Sequence, residues 1–452
     1  MERRFDAFSP IRRVGLISPY TGGNLGNGAI ISATIANIRK RVPGVEIIGI
    51  TLNREDTQWR HGIAGFPLTG VPGRYCASGP AGFETQETLW GRIKQWLKRL
   101  PLLGRALRAI RPSAEELVHI QAAARMIRKL DVLIVPGGGA LDDTWGGPWA
   151  HPWSLLKFGV LSRIFGVPFL FVSVGKESLA CALSRGFART ALKLAAYRSF
   201  RENDSKAEVQ KLLRSPRDPV YPDLAYSYPS SSLPTRRYCA SPDERLVVAV
   251  SPIAYCDPQA WPVKDEQRYL TYIRKLAEMV KWLIKQEYRV LLFATDGPDV
   301  RTVAHLQALI SDGSVDSTSA EVLPGPPAQT VDGLLQRICE ADLVIASRLH
   351  GIILPHLLAI PVLAISYCRK VDVHMSDAGQ DTYCVNIDRF DADELISRFN
   401  VLKDSRACES ANLARIAEGH RESASMQYDL LFGAAESSTA VKDNQLVKAV
   451  EA

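Results

Sequence analysis

The chain has 452 residues, of which 46% are hydrophobic and 23% charged, and its formal net charge is +7. This composition is typical of a soluble globular protein, and the length predicts two domains rather than one. No apolar run reaches the roughly 20 residues that a membrane-spanning helix needs. The modest positive charge suits an anionic substrate or surface, and we expect no nucleic acid as a partner.

Eight cysteines are scattered through the chain, and none forms a C-x-x-C motif or pairs with histidine at zinc-finger spacing. Several lie in apolar runs, where a reduced thiol behaves as a small hydrophobic side chain. The first residues, MERRFDAFSPIRR, contain no apolar segment of the kind found in secretory signals. We therefore predict a cytoplasmic protein in a reducing compartment, without a structural metal ion.

Strand-like and helix-like stretches alternate along the first half of the chain, which predicts a parallel sheet covered by helices. The predicted strands are RVGLIS (residues 13–18), VEIIGITL, LDVLIVP, VPFLFVSV and a short strand that ends at Arg201. Residues 29–40 and the stretch PWSLLKFGVLSRIFG are predicted helices between them.

A second series of the same kind begins at RLVVAVSPIAY (residues 245–255) and continues through YRVLLFATD, ADLVIAS and PVLAISY. Residues 229–244 separate the two series and are rich in Ser, Pro and charge, as linkers are. We predict an α/β protein with two Rossmann-like domains facing a cleft, at residues 1–235 and 236–432, and a flexible tail at 433–452. Ligands of open α/β sheets bind beyond the carboxyl ends of the strands.

Two glycine-rich loops follow predicted strands. The first, SPYTGGNLGNGA, allows close approach of the backbone to an anion, with Asn24 and Asn27 as candidate substrate ligands. It is neither G-x-G-x-x-G nor a P-loop, and a tight turn explains it equally well. The second, PGGGALDDTWGGPW, offers Gly138 and Gly139 for close contact. Its two carboxylates, at positions 142 and 143, would accept hydrogen bonds from sugar hydroxyls or act as a base, unless they only cap a helix in a solvated loop.

Further charged residues follow the next predicted strands of the first domain. Lys176 in SVGKES and Arg201 in FREND are candidate anion ligands, and Asp223 in YPDLAYSY is a third candidate substrate-binding residue. Each has an ordinary alternative, because most Lys and Arg side chains are surface cations and Asp is common in turns.

The most informative segment is SRLHG, where Arg348 and His350 stand between an apolar strand and an apolar helix. A helix N-terminus favours an anion, arginine binds carboxylate or phosphate bidentately, and histidine exchanges a proton near neutral pH. SYCRK follows the next strand and adds Arg369 and Lys370 to the same edge. Neither His356 nor His374 has metal-ligand spacing with His350.

These loops resemble the polysaccharide pyruvyl transferase family. The resemblance runs from GNLGNGAI through PGGGALDD, SVGKES and FREND to SRLHGIILPHLLAIPVLAISYCRKV, and the last segment is the most specific. It implies a GT-B-like fold and transfer of pyruvate from phosphoenolpyruvate, a co-substrate, onto sugar hydroxyls with no separate cofactor. The acceptor would be a glycan or lipid-linked oligosaccharide of exopolysaccharide biosynthesis.

The resemblance also implies roles for individual residues. His350 and Arg348 would be the catalytic and phosphoenolpyruvate-binding residues, and Arg201 would meet the carboxylate or phosphate of the donor. We expect the acceptor on the first domain and the donor on the second. The sequence departs from the family at Asn27, where Asp is usual, and an amide cannot act as a base. A binding role for Asn27 is the interpretation that we favour, over an altered acceptor or loss of activity.

Two alternative functions and an open question about one basic segment follow from the same sequence. A GT-B glycosyltransferase would use a nucleotide sugar, and a non-catalytic glycan-binding or assembly protein would show no turnover. The segment GRIKQWLKRLPLLGRALRAIRP (residues 91–112) carries seven basic residues and no acidic one. Such a segment either contacts the inner face of an anionic membrane peripherally, or packs on the protein as a helical insertion with a solvated basic face.

Overall fold

A computed structural model describes residues 11–19, 23–71, 101–213, 218–236, 245–311 and 328–434 of the chain, with the backbone alone for 101–113. The predicted basic segment 91–112 lies outside these residues up to position 100, and no side chain of its remainder is described. Most of the predicted tail, from position 435 onward, also lies outside them. Within the described residues, no helix is long and apolar enough to cross a membrane.

The first domain is built on a six-stranded parallel sheet with the strand order β3-β2-β1-β4-β5-β6. Its strands are β1 Arg13–Ile17, β2 Glu46–Thr51, β3 Ala64–Pro67, β4 Val132–Pro136, β5 Phe169–Val174 and β6 Tyr197–Phe200. Its helices are α1 Leu25–Arg41, α2 Arg54–His61, α3 Pro101–Ile127, α4 His151–Phe165, α5 Ala182–Leu194 and α6 Asn203–Leu213. This order is that of dinucleotide-binding Rossmann domains, so the carboxyl ends of β1 and β4 flank a crevice.

The second domain is built on a five-stranded parallel sheet with the order β11-β10-β9-β7-β8. Its strands are β7 Val247–Ser251, β8 Arg289–Leu292, β9 Leu343–Ala346, β10 Val362–Ser366 and β11 Cys384–Asn386. Its helices are α7 Glu266–Lys285, α8 Gly297–Ser311, α9 Val331–Ile338, α10 Leu349–Leu357, α11 Arg369–Asp377 and α12 Ala392–Phe432. The predicted α/β class with two Rossmann-like halves is confirmed.

The central strands are apolar along their whole length because helices cover both faces of each sheet. β4, β7, β9 and β10 are buried at every position. Polar side chains therefore come only where the strands end, and these ends place the candidate site residues.

Some predicted boundaries differ from the observed ones. α1 begins at Leu25 rather than at position 29, because the side chain of Asn24 accepts from the N–H of Asn27 and caps the helix. α10 begins at Leu349, with Arg348 as its N-cap, so Gly351 lies inside the first turn.

The last helix, α12, leaves the second domain and packs on the first. Gln427 is fully buried, accepts from Oγ of Ser173 at 2.9 Å and donates to the hydroxyl of Tyr197 at 3.2 Å. The hydroxyl of Tyr428 donates to Thr34 of α1 at 3.1 Å. The chain thus connects its two domains a second time, far in sequence from the linker.

Ser173, the partner of Gln427, has an unusual backbone conformation. It is a buried strand residue with a φ of 50°, in the left-handed region that a serine occupies only under constraint. The pairing of β5 with β6 shifts register between Phe171 and Val174, so Ser173 lies in a bulge. The bulge directs the loop that follows β5 into the space between the domains.

Replacing Gln427 with alanine should destabilise the protein by about 1–3 kcal/mol, because buried hydroxyls would lose their partner. Urea unfolding measures the change. The adjacent Met426 is 60% exposed, and Met426→Ala is the matched control, with an expected effect below about 0.5 kcal/mol. Equal effects of the two substitutions would contradict the role assigned to Gln427.

Candidate active site

The N-termini of two helices, one from each domain, meet in the cleft. α1 begins at Leu25, whose N–H donates to the carbonyl of Thr295 in the second domain at 2.9 Å. His350, in the first turn of α10, lies against Gly26 of α1, where an added β-carbon would overlap the imidazole. Since a helix N-terminus carries partial positive charge and free N–H groups, this meeting point favours an anion.

Arg201 and His350 share the carboxylate of Asp223. Arg201 is buried and donates from Nη1 to Asp223 at 3.0 Å and from Nε to Glu202 at 2.7 Å. Nε2 of His350 is buried without a hydrogen bond and lies 3.7 Å from Oδ2 of Asp223. Burial would raise the pKa of Asp223, but His350 and Arg201 outweigh it and hold this pKa well below its usual range. Among the described residues, Nη2 of Arg201 has no hydrogen bond, so this nitrogen remains for a ligand.

Glu177, in the loop after β5, adds a carboxylate to the cluster formed by Arg201, Asp223 and His350. Its Oε1 accepts from Nζ of Lys370 at 2.8 Å, and this ion pair joins the two domains. Burial would raise the pKa of Glu177, yet Lys370, Arg201 and His350 together lower it. Burial likewise disfavours the charged form of Lys370, but Glu177 outweighs it and raises the pKa of the ammonium group.

The sequence prediction chose Lys176 and missed its neighbour Glu177. Nζ of Lys176 pairs with Glu208 of α6 at 3.3 Å. The signal that marks Glu177 is the one used for Lys176, a charged side chain directly after a buried strand. Sequence alone does not say which of two consecutive charged side chains faces the cleft.

Arg348 is held by carboxylates of the second domain. Its Nε and Nη2 donate to Asp299 at 2.6 and 2.9 Å, and Nη1 lies 3.3 Å from Asp296. Asp299 is fully buried and also accepts from the N–H of Ala254 at 2.9 Å. A direct contact of Arg348 with the donor therefore stays a prediction, since its guanidinium here fixes the loops around α10. The sequence analysis did not single out these two aspartates of ATDGPD, although they too follow a strand.

The first glycine loop crosses the cleft through Asn24, whose side-chain amide donates to Asp296 at 3.3 Å. The second packs closely on its neighbours. Gly138 has a φ of 64°, and a β-carbon there would stand 3.2 Å from Oδ1 of Asn27. A β-carbon at Gly139 would overlap the carboxylate of Glu177. The glycines thus make room for the polar side chains at this edge of the first sheet.

The two aspartates of the second loop have different surroundings. Asp143 is buried, and its carboxylate accepts from the N–H groups of Ala180 and Cys181 at 3.1 and 3.0 Å. Oδ1 of Asp142 accepts from the hydroxyl of Thr144 at 2.6 Å. Burial and the nearby charge of Glu177 raise the pKa of Asp142, which suits a proton acceptor. Asp143 serves the structure of the loop, and Asp142 remains the candidate for chemistry.

Arg369 lies at the margin of the cluster. It forms an ion pair with Asp204 of α6 in the first domain and is largely exposed. A role for Arg369 in binding substrate stays a prediction, as it does for Lys176.

A layer of histidines lies next to the cluster, packed between α10, α11 and α12. Nδ1 of His356 is 3.3 Å from Nε2 of His374, and the two rings are stacked with centroids 5.3 Å apart. Tyr226 contacts His420 with a centroid distance of 4.6 Å. Burial and the neighbouring His420 lower the pKa of His374 to about 3, so the layer is neutral near pH 7. Within the described part of the chain, no three His, Cys, Asp or Glu residues are grouped to hold a metal ion.

These features define a two-domain protein of the GT-B-like class, with cations and carboxylates gathered between the domains. A candidate UDP-N-acetylglucosamine 2-epimerase from Listeria monocytogenes has a TM-score of 0.55 and 11% identity, over 91% of this chain and 93% of its own. A glycosyltransferase from Rickettsia africae has a TM-score of 0.51 and 10% identity, over 94% and 96%. Another UDP-N-acetylglucosamine 2-epimerase has 0.54 and 12%, over 94% and 96%. Such low identities show the fold alone.

The sequence also identifies the family. The model of the family described as polysaccharide pyruvyl transferase matches residues 24–369, well over half of the chain. The protein is a member of the polysaccharide pyruvyl transferase family. The match begins at Asn24 and ends one residue before Lys370, so it spans nearly the whole cluster. A search of curated proteins found no matching relative.

Replacing Gly26 with alanine should disturb the site without weakening the helix. Alanine favours a helix by about 1 kcal/mol over glycine, but its methyl group would displace the imidazole of His350. We expect a protein of near-normal melting temperature whose activity is reduced by at least about tenfold. Gly419→Ala in α12, where an added β-carbon meets nothing within 4 Å, is the control. Normal activity in Gly26→Ala would contradict the assigned contact.

Depressed histidine pKa values should make stability depend on pH. Burial is the largest cause that lowers the pKa of His374 to about 3 and that of His151 to about 4, from 6.5. The unfolded chain therefore binds protons below pH 6.5 where the folded chain does not. The stabilisation is complete above that pH and is lost as the pH falls towards these folded-state values.

Urea unfolding between about pH 7.5 and about pH 5 isolates this effect, because carboxylates titrate lower. The expected loss at about pH 5 is about 2 kcal/mol per histidine of this kind. In His374→Gln the dependence on pH should be flatter. An unchanged slope in that variant would show that His374 is protonated equally in both states.

Proposed function

We propose that this chain transfers pyruvate from phosphoenolpyruvate to sugar hydroxyls of a surface polysaccharide or its lipid-linked precursor, forming a ketal and releasing phosphate. The observation that supports this most directly is His350, a half-buried imidazole whose buried Nε2 faces Asp223 and whose ring lies against the N-terminus of α1, with Arg201 nearby. The proposed donor carries a carboxylate and a phosphate. It needs cations for both and a proton donor for its enol carbon.

Charge and helix geometry support binding of the donor at this cluster. Nη2 of Arg201 and the N-terminus of α10 offer donors to an anion, and the N-terminus of α1 adds partial positive charge. Lys370 is neutralised by Glu177 in the absence of a substrate. A phosphate or carboxylate of the donor would replace Glu177 on the ammonium group, so the charge of Lys370 stays compensated with and without substrate.

The reaction then needs one acid and one base. His350, protonated and paired with Asp223, gives its proton to the methylene carbon of the enol, and C2 becomes electrophilic. A sugar hydroxyl adds at C2 as its proton passes to a base, and we assign this role to Asp142, whose pKa is raised. The bond from C2 to the phosphate oxygen then breaks, and inorganic phosphate leaves with both electrons, stabilised by the cations. A second hydroxyl of the same sugar bonds to C2 in its place, and its proton returns to the imidazole of His350, which gave up its own proton in the first step.

His350→Gln should reduce phosphate release from phosphoenolpyruvate by at least about 100-fold, because the general acid is lost. Phosphate release is measured with a panel of free and lipid-linked glycans as acceptors. Binding of phosphoenolpyruvate, followed by thermal shift, should change far less than turnover. His305→Gln is the matched control, since His305 hydrogen-bonds Tyr269 on α7 at 2.9 Å, outside the cluster.

Two results would contradict the proposal. A near-normal rate in His350→Gln would remove this residue from the mechanism. Stabilisation of the wild-type protein by a nucleotide sugar, with no response to phosphoenolpyruvate, would indicate a glycosyltransferase instead.

A further inference from the structure

Two tryptophans stand exposed on the loop between β4 and α4. Trp149 is 50% exposed and Trp145 is 42% exposed. An indole exposed to this extent on a soluble surface is costly, and such side chains often mark a binding surface. The loop also contains Asp142, the carboxylate assigned above as the proton acceptor.

The ring of Trp149 packs against two other aromatic side chains. It contacts Trp153 and Phe187 with centroid distances of 5.6 and 5.5 Å and with tilted and edge-on geometry. Trp153 is itself fixed, since its indole N–H donates to Glu116 at 2.8 Å. Glu116 also accepts from the buried Lys157 at 2.8 Å. The exposed face of Trp149 therefore belongs to a fixed aromatic cluster and not to a loose side chain.

Backbone hydrogen bonds connect this loop to the candidate active site. The N–H of Asp143 donates to the carbonyl of Ser178 at 2.7 Å, and the N–H of Glu177 donates to Leu141 at 3.0 Å. The N–H of Gly147 donates to the carbonyl of Asp143 at 3.0 Å, which closes the turn before Trp149. The aromatic surface and Glu177 thus lie on one hydrogen-bonded unit.

We propose that Trp149 and Trp145 form a stacking surface for a neutral sugar ring of the acceptor glycan, next to the sugar that receives pyruvate. One face of a pyranose presents C–H groups that pack on an indole, while its hydroxyls point outward and hydrogen-bond carboxylates and hydroxyls such as those of Asp142 and Thr144. This inference rests on the proposed function for the identity of the neighbouring sugar. It adds that the protein recognises at least two sugar residues.

Binding of neutral oligosaccharides on a glycan array tests this surface without any need for turnover. Trp149→Ala and Trp145→Ala should each weaken binding about tenfold, and Trp149→Phe, which keeps an aromatic face, should weaken it less. Trp59→Ala is the control, because Trp59 is 59% exposed on α2 and should change nothing. Circular dichroism spectra and melting temperatures check that each variant is folded. If Trp149→Ala does not fold, Trp145→Ala tests the surface instead.

The outcomes separate this inference from the proposed function. Oligosaccharide binding that depends on Trp149, without phosphate release from phosphoenolpyruvate, would support the surface and overturn the proposed function. Turnover that shows the same KM for a long acceptor in the wild type and both alanine variants would overturn the surface alone. A wild-type protein that binds no glycan on the array would also overturn it. Loss of binding to anionic phospholipid vesicles in these variants, with glycan binding unchanged, would assign the tryptophans to a membrane.

Discussion

Compensation of buried charge between the two domains is the constraint on which the site depends. Arg201 is buried and must keep carboxylate partners, and Asp223 serves it and His350 at once. Lys370 and Glu177 repeat the arrangement with the cation on the second domain and the carboxylate on the first. Because Asp223 and Glu177 lie on the first domain and His350 and Lys370 on the second, separation of the domains would take His350 and Lys370 away from these carboxylates. The electrostatics of the site therefore depend on how the two domains are arranged.

The returning helix α12 contributes to the site through its last turns, which pack on the first domain. Gln427 holds the bulge at Ser173, and the bulge places Gly175 and Glu177 after β5. Ser173, with its strained φ, donates from its N–H to Ser199 and from its hydroxyl to Gln427. A contact between residues 254 positions apart in sequence thus supports the strand end that precedes Glu177. Through this contact, the second domain influences the geometry of the first domain independently of the linker.

Local sequence was sufficient for the fold and for part of the site. Apolar runs of four to six residues, each followed by glycine or charge, identified the strands and the loops that carry Arg201, Asp223 and His350. The helix starts at Leu25 and Leu349 were misplaced by a few residues; the first depends on one hydrogen bond to the side chain of Asn24, and the second has no side-chain cap. Gln427 and the role of Asp299 could not be recognised. Their roles come from partners far away in sequence, and neither has a local pattern that differs from an ordinary helix.

The amide at Asn27 is compatible with an active enzyme when the carboxylates around it are considered. Asn27 lies against Gly138, and the next glycine of that loop lies against Glu177. Glu177 and Asp142 already supply negative charge here, and burial first and the charge of Glu177 second raise the pKa of Asp142. A further carboxylate at position 27 would add repulsion beside the site that we propose for an anionic donor, whereas an amide offers hydrogen bonds without charge. The base that the family resemblance places at position 27 is thus supplied, in our interpretation, from the loop after β4.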